Sequence, residues 1–290
     1  MRECFHVEII TPRKVILNGL WFGSLRSKTV IIWIHGLGSS LFSKIGIIEL
    51  LAKKGTAVLA FNNRGHDIIS RIAKADEKKS VKARLGGSAH EIFEECIDDI
   101  DGTIRFARRA GARKIYLAGH STGCQKAIYW ASKRSGGRAV KGIILLAPIS
   151  DYSGSIHLEG KSKIARAGAA ARALLRHGKK HDLLPAKLWE RPLDAQRFLS
   201  LYSGEGAEEI FTYSQPRVSP RAFKSVRRSL LIILAEKDEY ADRSAREMAD
   251  WFEKNLRNNS AVRIIKNSSH GFRGSEKLVA QTISIWQKLL

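Results

Sequence analysis

The chain has 290 residues, 44% of them hydrophobic, which is enough for the core of one large domain or of a domain with an insertion. No stretch is a long, charge-free apolar run, so the composition indicates neither a membrane span nor a disordered chain. Lysine and arginine total 50 against 28 aspartates and glutamates, giving a formal net charge of +22. Such a charge would attract anionic substrates, nucleic acid or acidic membrane surfaces.

The basic residues are spread along the chain without interleaved aromatic residues, which does not favour specific nucleic-acid binding and leaves open a weak attraction to anionic surfaces. Acidic residues occur within the first few positions of the chain, and no apolar stretch followed by a small-residue cleavage site is found there. We therefore expect no secretory signal and a cytoplasmic protein. Cys4, Cys96 and Cys124 are widely separated, so we expect reduced thiols rather than disulfides or metal ligands.

The first third of the chain predicts three strands and a helix. Alternating residues over 4–10 and 14–20 predict an antiparallel pair of strands. The apolar, β-branched run over 28–34 predicts a strand that is covered on both faces, as in a parallel sheet. A second such run over 56–61 follows a predicted helix over 45–54, and this begins an alternation of helices and strands.

The loop His35-Gly36-Leu37-Gly38 follows the strand over 28–34. Its glycines let the backbone approach a ligand closely, so the Leu37 N–H group is a candidate donor to an oxyanion that develops during acyl transfer. His35 and Gly36 are candidate substrate contacts. We expect His35 to order the loop through hydrogen bonds rather than to act as a catalytic base.

A second polar loop, which contains Arg64, His66 and Asp67, follows the strand over 56–61. Ligands of open parallel sheets bind beyond the carboxyl ends of the strands, so these side chains could line the approach to a site. Arg64 is therefore a candidate substrate contact. The favoured alternative is an ion pair that braces the loop.

Charge patterns organise the next two segments. The charged, glycine-bearing segment 76–87 predicts a surface loop. The segment 91–110 predicts an amphipathic helix with Cys96 in the core. Its solvated face is expected to carry the acidic residues Glu94, Glu95, Asp98 and Asp101.

The strand-like run over 114–118 enters Gly119-His120-Ser121-Thr122-Gly123, and a helical pattern leaves it. A serine on so sharp a turn is strained, and side chains two positions away on either side would collide with the flanking elements. The pattern predicts a nucleophile elbow, with Ser121 as nucleophile, the Thr122 N–H group as the second oxyanion donor and His120 as a candidate substrate contact. Cys124 is a less favoured nucleophile because it lies beyond the turn.

A helical insertion is predicted after the strand over 140–148. Residues 149–228 contain helical patterns over 164–175 and 186–201 and no convincing strand. We expect a cap that excludes water and shapes the pocket, over an α/β core formed by 1–148 and 229–290. The alternative is a bracing insertion without substrate contact.

The C-terminal part supplies two further site candidates. Asp238 follows a predicted strand over 229–235, where its carboxylate could orient a histidine. Its rival Asp242 is instead expected to cap a helix over 243–256. His270 follows a strand over 261–266 and is the candidate base.

The chain resembles the α/β-hydrolase superfamily in its His35-Gly36 loop and in the order Ser121, Asp238, His270. The resemblance covers nearly all of the chain except the cap. The resemblance implies a mostly parallel sheet with helices on both faces and an inserted helical cap, and it implies the triad roles given above. The motifs Gly119-His120-Ser121-Thr122-Gly123-Cys124, Asn63-Arg64-Gly65-His66-Asp67 and Asp238-Glu239-Tyr240 are similar to those of a branch that includes fungal siderophore-ester hydrolases.

These patterns predict a serine hydrolase that cleaves small-molecule carboxylic esters through an acyl-enzyme, without a metal or an organic cofactor. A peptidase, a thioesterase or a cofactor-free haloperoxidase could use the same triad. The hypothesis from another class is a non-catalytic binding protein on a hydrolase scaffold, with a basic surface for anionic partners.

Overall fold

The computed structural model describes residues 3–53, 55–75, 81–257 and 260–290. Within these ranges, ten strands form one sheet, and six of them run parallel to one another. In order across the sheet, the parallel strands are β10 (Ala261–Ile265), β9 (Ser229–Ala235), β8 (Gly142–Leu146), β7 (Lys114–His120), β3 (Thr29–Ile34) and β4 (Thr56–Phe61). The carboxyl ends of all six therefore meet at one edge, where ligands of such sheets bind.

Four antiparallel strands complete the sheet beyond β4: β1 (Cys4–Ile10), β2 (Val15–Phe22), β5 (Ser70–Ala75) and β6 (Val81–Gly86). The predicted antiparallel pairing of the first two strands is confirmed. The prediction of a surface loop over 76–87 is wrong for residues 81–86, because they form β6 and pair with β5. Residues 76–80 of that prediction lie outside the described residues. These strands are short and rich in charged residues, so they lack the apolar run of a central strand.

Helices cover both faces of the sheet. The helices α1 (Ile45–Leu51) and α9 (Glu276–Leu289) pack on one face, and α2 (Cys96–Arg109), α3 (Thr122–Lys133) and α8 (Ala245–Asn255) pack on the other. Side chains of a strand alternate between the faces: in β3, Ile32 joins one apolar cluster and Trp33 the other. The predicted fold class, a mostly parallel sheet between two helical layers, is confirmed.

Residues 147–228, between β8 and β9, are all described and contain no strand but a short 3₁₀ helix (Thr212–Ser214) and four α-helices: α4 (Asp151–Glu159), α5 (Lys161–Arg176), α6 (Ala195–Tyr202) and α7 (Arg221–Ser225). The helix predicted over 186–201 begins nine residues late, because Pro192 and the residue before it disfavour helix and Asp194 caps α6. Around α5 and α6 lies a separate apolar cluster that includes Trp189 and Phe198. Phe211 and Phe223, by contrast, pack into the core beneath the sheet.

A buried ion network joins α6 to the core. Glu91, which is 4% exposed, lies between Lys126 of α3 (Nζ to Oε1, 2.5 Å) and Arg197 of α6 (Nη2 to Oε2, 2.8 Å). Arg197 also pairs with Glu208, and Lys126 donates to the Asn63 side chain at 3.0 Å. Because buried charges need partners, the network fixes α6 against α3. No helix in the described ranges is both long and apolar enough to span a membrane.

Candidate active site

Ser121 lies between β7 and α3 with φ 55° and ψ −129°, a backbone conformation that is rarely adopted by residues other than glycine. Its N–H group donates to the Leu146 carbonyl oxygen at 3.0 Å. A Cβ atom on Gly119 would lie 2.3 Å from the Gly123 oxygen, and one on Gly123 would lie 2.3 Å from the Ile34 oxygen. The two glycines are therefore required by close backbone contacts on either side of a strained serine.

His270 and Asp238 form a hydrogen-bonded pair. The loops that follow the neighbouring strands β9 and β10 bring the His270 Nδ1 atom to 2.8 Å from the Asp238 Oδ2 atom, and both side chains are more than nine-tenths buried. A carboxylate at Nδ1 favours the tautomer that carries its proton there, which leaves the lone pair on Nε2. The pair thus presents a nitrogen that can accept a proton.

The backbone of His270 is held on both sides. Its N–H group donates to the Glu239 Oε2 atom at 2.9 Å, and its carbonyl oxygen accepts from the His120 Nε2 atom at 2.9 Å. Burial lowers the pKa of His120 well below its usual value, so this ring is neutral and can donate from Nε2. The Tyr240 ring meets the His270 ring edge to face, with the ring centroids 4.8 Å apart. From the sequence, Glu239 is named only as part of the motif Asp238-Glu239-Tyr240 and has no predicted role.

Ser121 and His270 line the same cavity, which has a volume of about 380 Å³. One group of lining residues comes from core loops: Gly36, Leu37, Ser39, Ser43, Lys44, His120 and Tyr240. A second group comes from the helical segment between β8 and β9, including Ile149, Asp151, Leu158, Trp189, Arg191 and Tyr202. The cavity therefore lies between the carboxyl edge of the sheet and the inserted helices.

The loop after β3 touches the serine. A Cβ atom on Gly36 would lie 2.9 Å from the Ser121 Cβ atom, so only a residue without a side chain fits there. Leu37 follows Gly36 in the cavity wall, and Thr122 is the first residue of α3, where a backbone N–H group has no partner within the helix. Both predicted oxyanion donors thus belong to segments that adjoin Ser121.

His35 does not line the cavity, so the prediction that it contacts substrate is wrong. The side chain is fully buried, with Nδ1 2.9 Å from the Gly36 oxygen and Nε2 accepting from the Asn63 N–H group at 3.3 Å. Burial lowers the pKa of His35 from 6.5 to about 3, so the ring is neutral and both nitrogens have a partner. The expectation that His35 orders its loop by hydrogen bonds is confirmed.

Arg64 does not line the cavity either, and its prediction as a substrate contact is also wrong. Its guanidinium group is 3.3 Å from Glu95 and 2.8 Å from Asp99, and it pairs with Asp98 as well. The alternative, an ion pair that braces the loop, is confirmed. The predicted solvated face of α2 is correspondingly wrong at Asp98, which Arg64 covers.

Asp242 was expected to cap the helix after β9, and this prediction is wrong. Ser244 is the N-cap of α8 and forms a capping box with Glu247, while Asp242 pairs with Arg243 at 2.8 Å. The capping box satisfies two backbone donors at once, which a lone aspartate two residues earlier does not. Of the two rival carboxylates, Asp238 is the one that contacts His270.

Cys124 lies in α3 behind the elbow and is fully buried. Its Sγ atom is 3.2 Å from the Gly119 oxygen and 3.3 Å from the Leu146 oxygen, so its single S–H group can donate to either of them. Burial raises the pKa of the thiol well above its usual value. Since the thiolate is the reactive form, this environment does not suit a nucleophile.

Comparisons with known proteins agree with this architecture. Residues 83–288 match the model of a family described as protein of unknown function (DUF1749). The chain is 25% identical over 269 residues to UPF0613 protein PB24D3.06c of Schizosaccharomyces pombe, covering 84% of this chain and 81% of that protein.

Solved structures of esterases and hydrolases have the same fold. The siderophore hydrolase EstB from Aspergillus fumigatus has a TM-score of 0.67 at 16% identity, covering 99% of this chain and 98% of EstB. The Pyrococcus furiosus esterase Pf2001 has a TM-score of 0.64 at 20% identity, covering 99% and 91%. Est1E from Butyrivibrio proteoclasticus, solved with ferulic acid bound, has a TM-score of 0.64 at 17% identity, covering 97% of each chain. The fold is therefore the α/β-hydrolase fold.

Proposed function

The chain belongs to the DUF1749 family and has the α/β-hydrolase fold, and we propose that it is a serine hydrolase of carboxylic esters. One observation carries the proposal. Ser121, on a strained elbow, and His270, whose Nδ1 atom is 2.8 Å from Asp238, line one cavity. This combination supplies a nucleophile, a base and a group that orients the base, next to a space for a substrate.

In the proposed reaction, His270 Nε2 accepts the proton of the Ser121 hydroxyl as its oxygen attacks the ester carbonyl carbon. The tetrahedral intermediate collapses when the C–O bond to the alcohol breaks and His270 returns the proton to the leaving oxygen. Water then repeats these steps on the acyl-enzyme and releases the carboxylic acid. Asp238 stabilises the imidazolium that forms twice in each cycle.

The oxyanion of each tetrahedral intermediate would accept hydrogen bonds from the Leu37 and Thr122 N–H groups. Two observations support this assignment: Gly36 lies against Ser121, and Thr122 begins α3. Backbone donors that are fixed before the reaction stabilise the developing charge by several kcal/mol without reorganising. The reaction needs no metal and no organic cofactor.

Residues 149–228 are proposed to act as a cap over the catalytic groups. Their side chains Ile149, Leu158, Trp189 and Tyr202 line the cavity, which supports a role in holding the acyl chain. The apolar cluster around α5 and α6 supports a compact unit. The contribution of this segment to the cavity wall supports a cap over the alternative of a bracing insertion without substrate contact.

The first test is hydrolysis of nitrophenyl esters of increasing acyl length. The wild-type protein is compared with Ser121→Ala and with Cys124→Ser, all matched for folding by circular dichroism. We expect Ser121→Ala to reduce kcat about 10⁴-fold or more and Cys124→Ser to retain activity. The preferred acyl length then measures how much of the cavity the acyl chain fills.

A fluorophosphonate probe provides a check that does not depend on the choice of ester. Such a probe phosphonylates an activated serine, and mass spectrometry should place the adduct on Ser121. Thioester and anilide substrates in the same panel distinguish the thioesterase and peptidase alternatives. Absence of both labelling and turnover in the wild-type protein would contradict the proposal and favour a binding protein on this scaffold.

A further inference from the structure

Lys44 is the last residue of the loop after β3 and directly precedes α1. Its backbone has φ 62° and ψ 28°, in the left-handed region where a side chain crowds the following carbonyl oxygen. A strained residue in a cavity wall is a reason to ask what its side chain does. Lys44 lines the cavity together with Ser121 and His270.

The ammonium group of Lys44 lies beside the loop that carries His270. Its Nζ atom is 3.0 Å from the position that a Cβ atom on Gly271 would take. No carboxylate in the described part of the chain is within ion-pair distance, and its electrostatic neighbours are Glu239 and Glu276. Burial lowers the pKa of Lys44 more than these two carboxylates raise it. A partly desolvated cation without a close partner gains most from an incoming anion.

The hydroxyl group of the preceding residue is also without a partner. The Ser43 Oγ atom is buried and forms no hydrogen bond with any described residue, although Ser43 lines the same cavity. Buried hydroxyl groups normally find a hydrogen-bond partner. Ser43 and Lys44 therefore offer an adjacent neutral donor and cationic donor to a ligand in this cavity.

The other two basic side chains that line the cavity, Lys163 and Arg191, are less suited to an incoming anion than Lys44 is. Lys163 is 2.6 Å from Glu159 and lies over the Trp189 ring at 5.4 Å. Arg191 is exposed, so solvent screens its charge and it gains less from an incoming anion than a half-buried cation does. Lys44 is thus the cation whose environment leaves room for an anionic substrate group.

The position of Lys44 indicates which part of the ester carries that group. In the proposed reaction, His270 must return its proton to the leaving oxygen, so the alcohol portion lies on the His270 side of Ser121. Lys44 adjoins the His270-Gly271 segment, on this same side. Glu239 and Glu276 make the surroundings unfavourable for a dianion, which favours a carboxylate over a phosphate.

We propose that Lys44 and Ser43 form a subsite for a carboxylate on the alcohol portion of the ester substrate. This inference rests on the proposed esterase function and adds a substrate class to it. The Lys44 ammonium group would pair with the carboxylate, and the Ser43 hydroxyl group would donate a second hydrogen bond.

The test compares two acetate esters that differ in one charge: 4-acetoxybenzoate and methyl 4-acetoxybenzoate. We expect Lys44→Gln to lower kcat/KM for the anionic ester about tenfold, through KM, because it removes a charge-assisted hydrogen bond. Turnover of the neutral ester should change less than about twofold. Lys44→Arg should restore most of the preference, and Ser43→Ala should reduce it by a smaller factor.

Lys187→Gln is the matched control for overall charge. Lys187 is exposed and does not line the cavity, so this variant removes one positive charge from the same protein without touching the subsite. The ratio of the two kcat/KM values should be the same in Lys187→Gln and in the wild-type protein. An equal ratio in Lys44→Gln would overturn the inference while leaving the esterase function intact.

Two further outcomes are decisive. A fall in kcat that is equal for both esters would overturn the subsite, because Lys44 would then position Glu239 and His270 rather than bind substrate. If the wild-type protein cleaves neither ester, acetate is not a suitable acyl group, and binding decides the inference; the esterase function itself is decided by the fluorophosphonate probe and the acyl-length panel. Titration of 4-hydroxybenzoate and its methyl ester into Ser121→Ala, with and without Lys44→Gln, should show a charge preference that depends on Lys44. Binding without that preference overturns the subsite.

Discussion

The loop after β4 and the loop after β10 leave the same edge of the sheet, and both carry a histidine among charged side chains. In the first loop, three carboxylates surround Arg64, which is 3% exposed. In the second, the His270 Nδ1 atom contacts one carboxylate, that of Asp238, and the residue also lines the cavity. The difference teaches that position at the carboxyl edge is not sufficient for a site. A functional side chain also keeps part of its bonding capacity free.

This comparison predicts that changes after β9 and β10 affect turnover, whereas changes after β4 affect stability. The largest effect is expected for Asp238→Ala, which removes the carboxylate that orients His270. We expect kcat to fall about 10⁴-fold with little change in the melting temperature. Asp242→Ala is the control, because Asp242 contacts Arg243 rather than His270. Equal losses in the two variants would contradict the assignment of Asp238.

In the loop after β4, Arg64→Met should destabilise the fold by about 3–5 kcal/mol, because it leaves Asp98 and Asp99 buried without their cation. Urea unfolding measures this change. The activity of the folded fraction should stay within about twofold of the wild-type value, since Arg64 does not line the cavity. A stable variant with reduced turnover would place Arg64 in the site after all.

The fold should lose stability in acid because His35 is buried in its neutral form. The unfolded chain binds a proton at His35 below pH 6.5, whereas the folded chain does so only near pH 3. The folded state therefore keeps its full stability above pH 6.5 with respect to this group. As the pH falls from 6 to 4, His35 alone should lower the free energy of unfolding by about 1.4 kcal/mol per pH unit. Urea unfolding at pH 7, 6 and 5 gives the free energy of unfolding at each pH. A plot of this free energy against pH should be less steep for His35→Gln than for the wild-type protein. An unchanged slope would contradict the neutral assignment.

Asp99 has the opposite effect on the pH dependence of stability, and this effect is the same in the wild-type protein and in His35→Gln. Burial raises the pKa of Asp99 from 3.8 to about 6, so the folded state binds this proton more tightly than the unfolded state does. Stability from this group increases as the pH falls through that range. Because Asp99 is present in both the wild-type protein and His35→Gln, its contribution cancels in the difference between their slopes.

The smallest effect is expected for Glu239→Ala, which removes the acceptor of the His270 N–H group. The loss of a hydrogen bond to a charged group should lower kcat about tenfold by loosening the His270 loop. Glu239→Gln keeps an acceptor oxygen and should recover most of the activity. Identical behaviour of the two variants would show that charge, rather than the hydrogen bond, is the property that matters.

Much of the fold was predictable because its strands are continuous apolar runs and its helices have clear periodicity. The elbow was predictable as well. Its signal is local, because the two glycines that the sharp turn requires lie only two residues before and two residues after Ser121. The antiparallel pair of β5 and β6 was not, because these two strands at the sheet edge contain charged residues and leave little apolar signal. Its residue Ile72 is buried at 3% exposure, but one such residue does not define a strand.

The errors in the candidate site have two different causes. Whether Arg64 is free depends on Asp98 and Asp99, which are more than 30 residues away and approach it only when α2 packs on the sheet. The capping role of Ser244 depended on Glu247, three residues ahead, and was a local signal that the interpretation of Asp242 overlooked. Local motifs located the nucleophile, but the partners of a charged side chain are a property of tertiary packing.

The ion network around Glu91 sets a condition on how this fold can be recombined. Glu91 and Lys126 belong to the core, whereas Arg197 and Glu208 belong to the inserted segment. A chimera that exchanges residues 149–228 for another insertion would leave Glu91 buried with one of its two cations, Arg197, missing, whereas Lys126 would keep both Glu91 and Asn63. The insertion is therefore not an interchangeable module, and a transplanted one should be fully stable only if it supplies a cation for Glu91 or if Glu91 is exchanged with it.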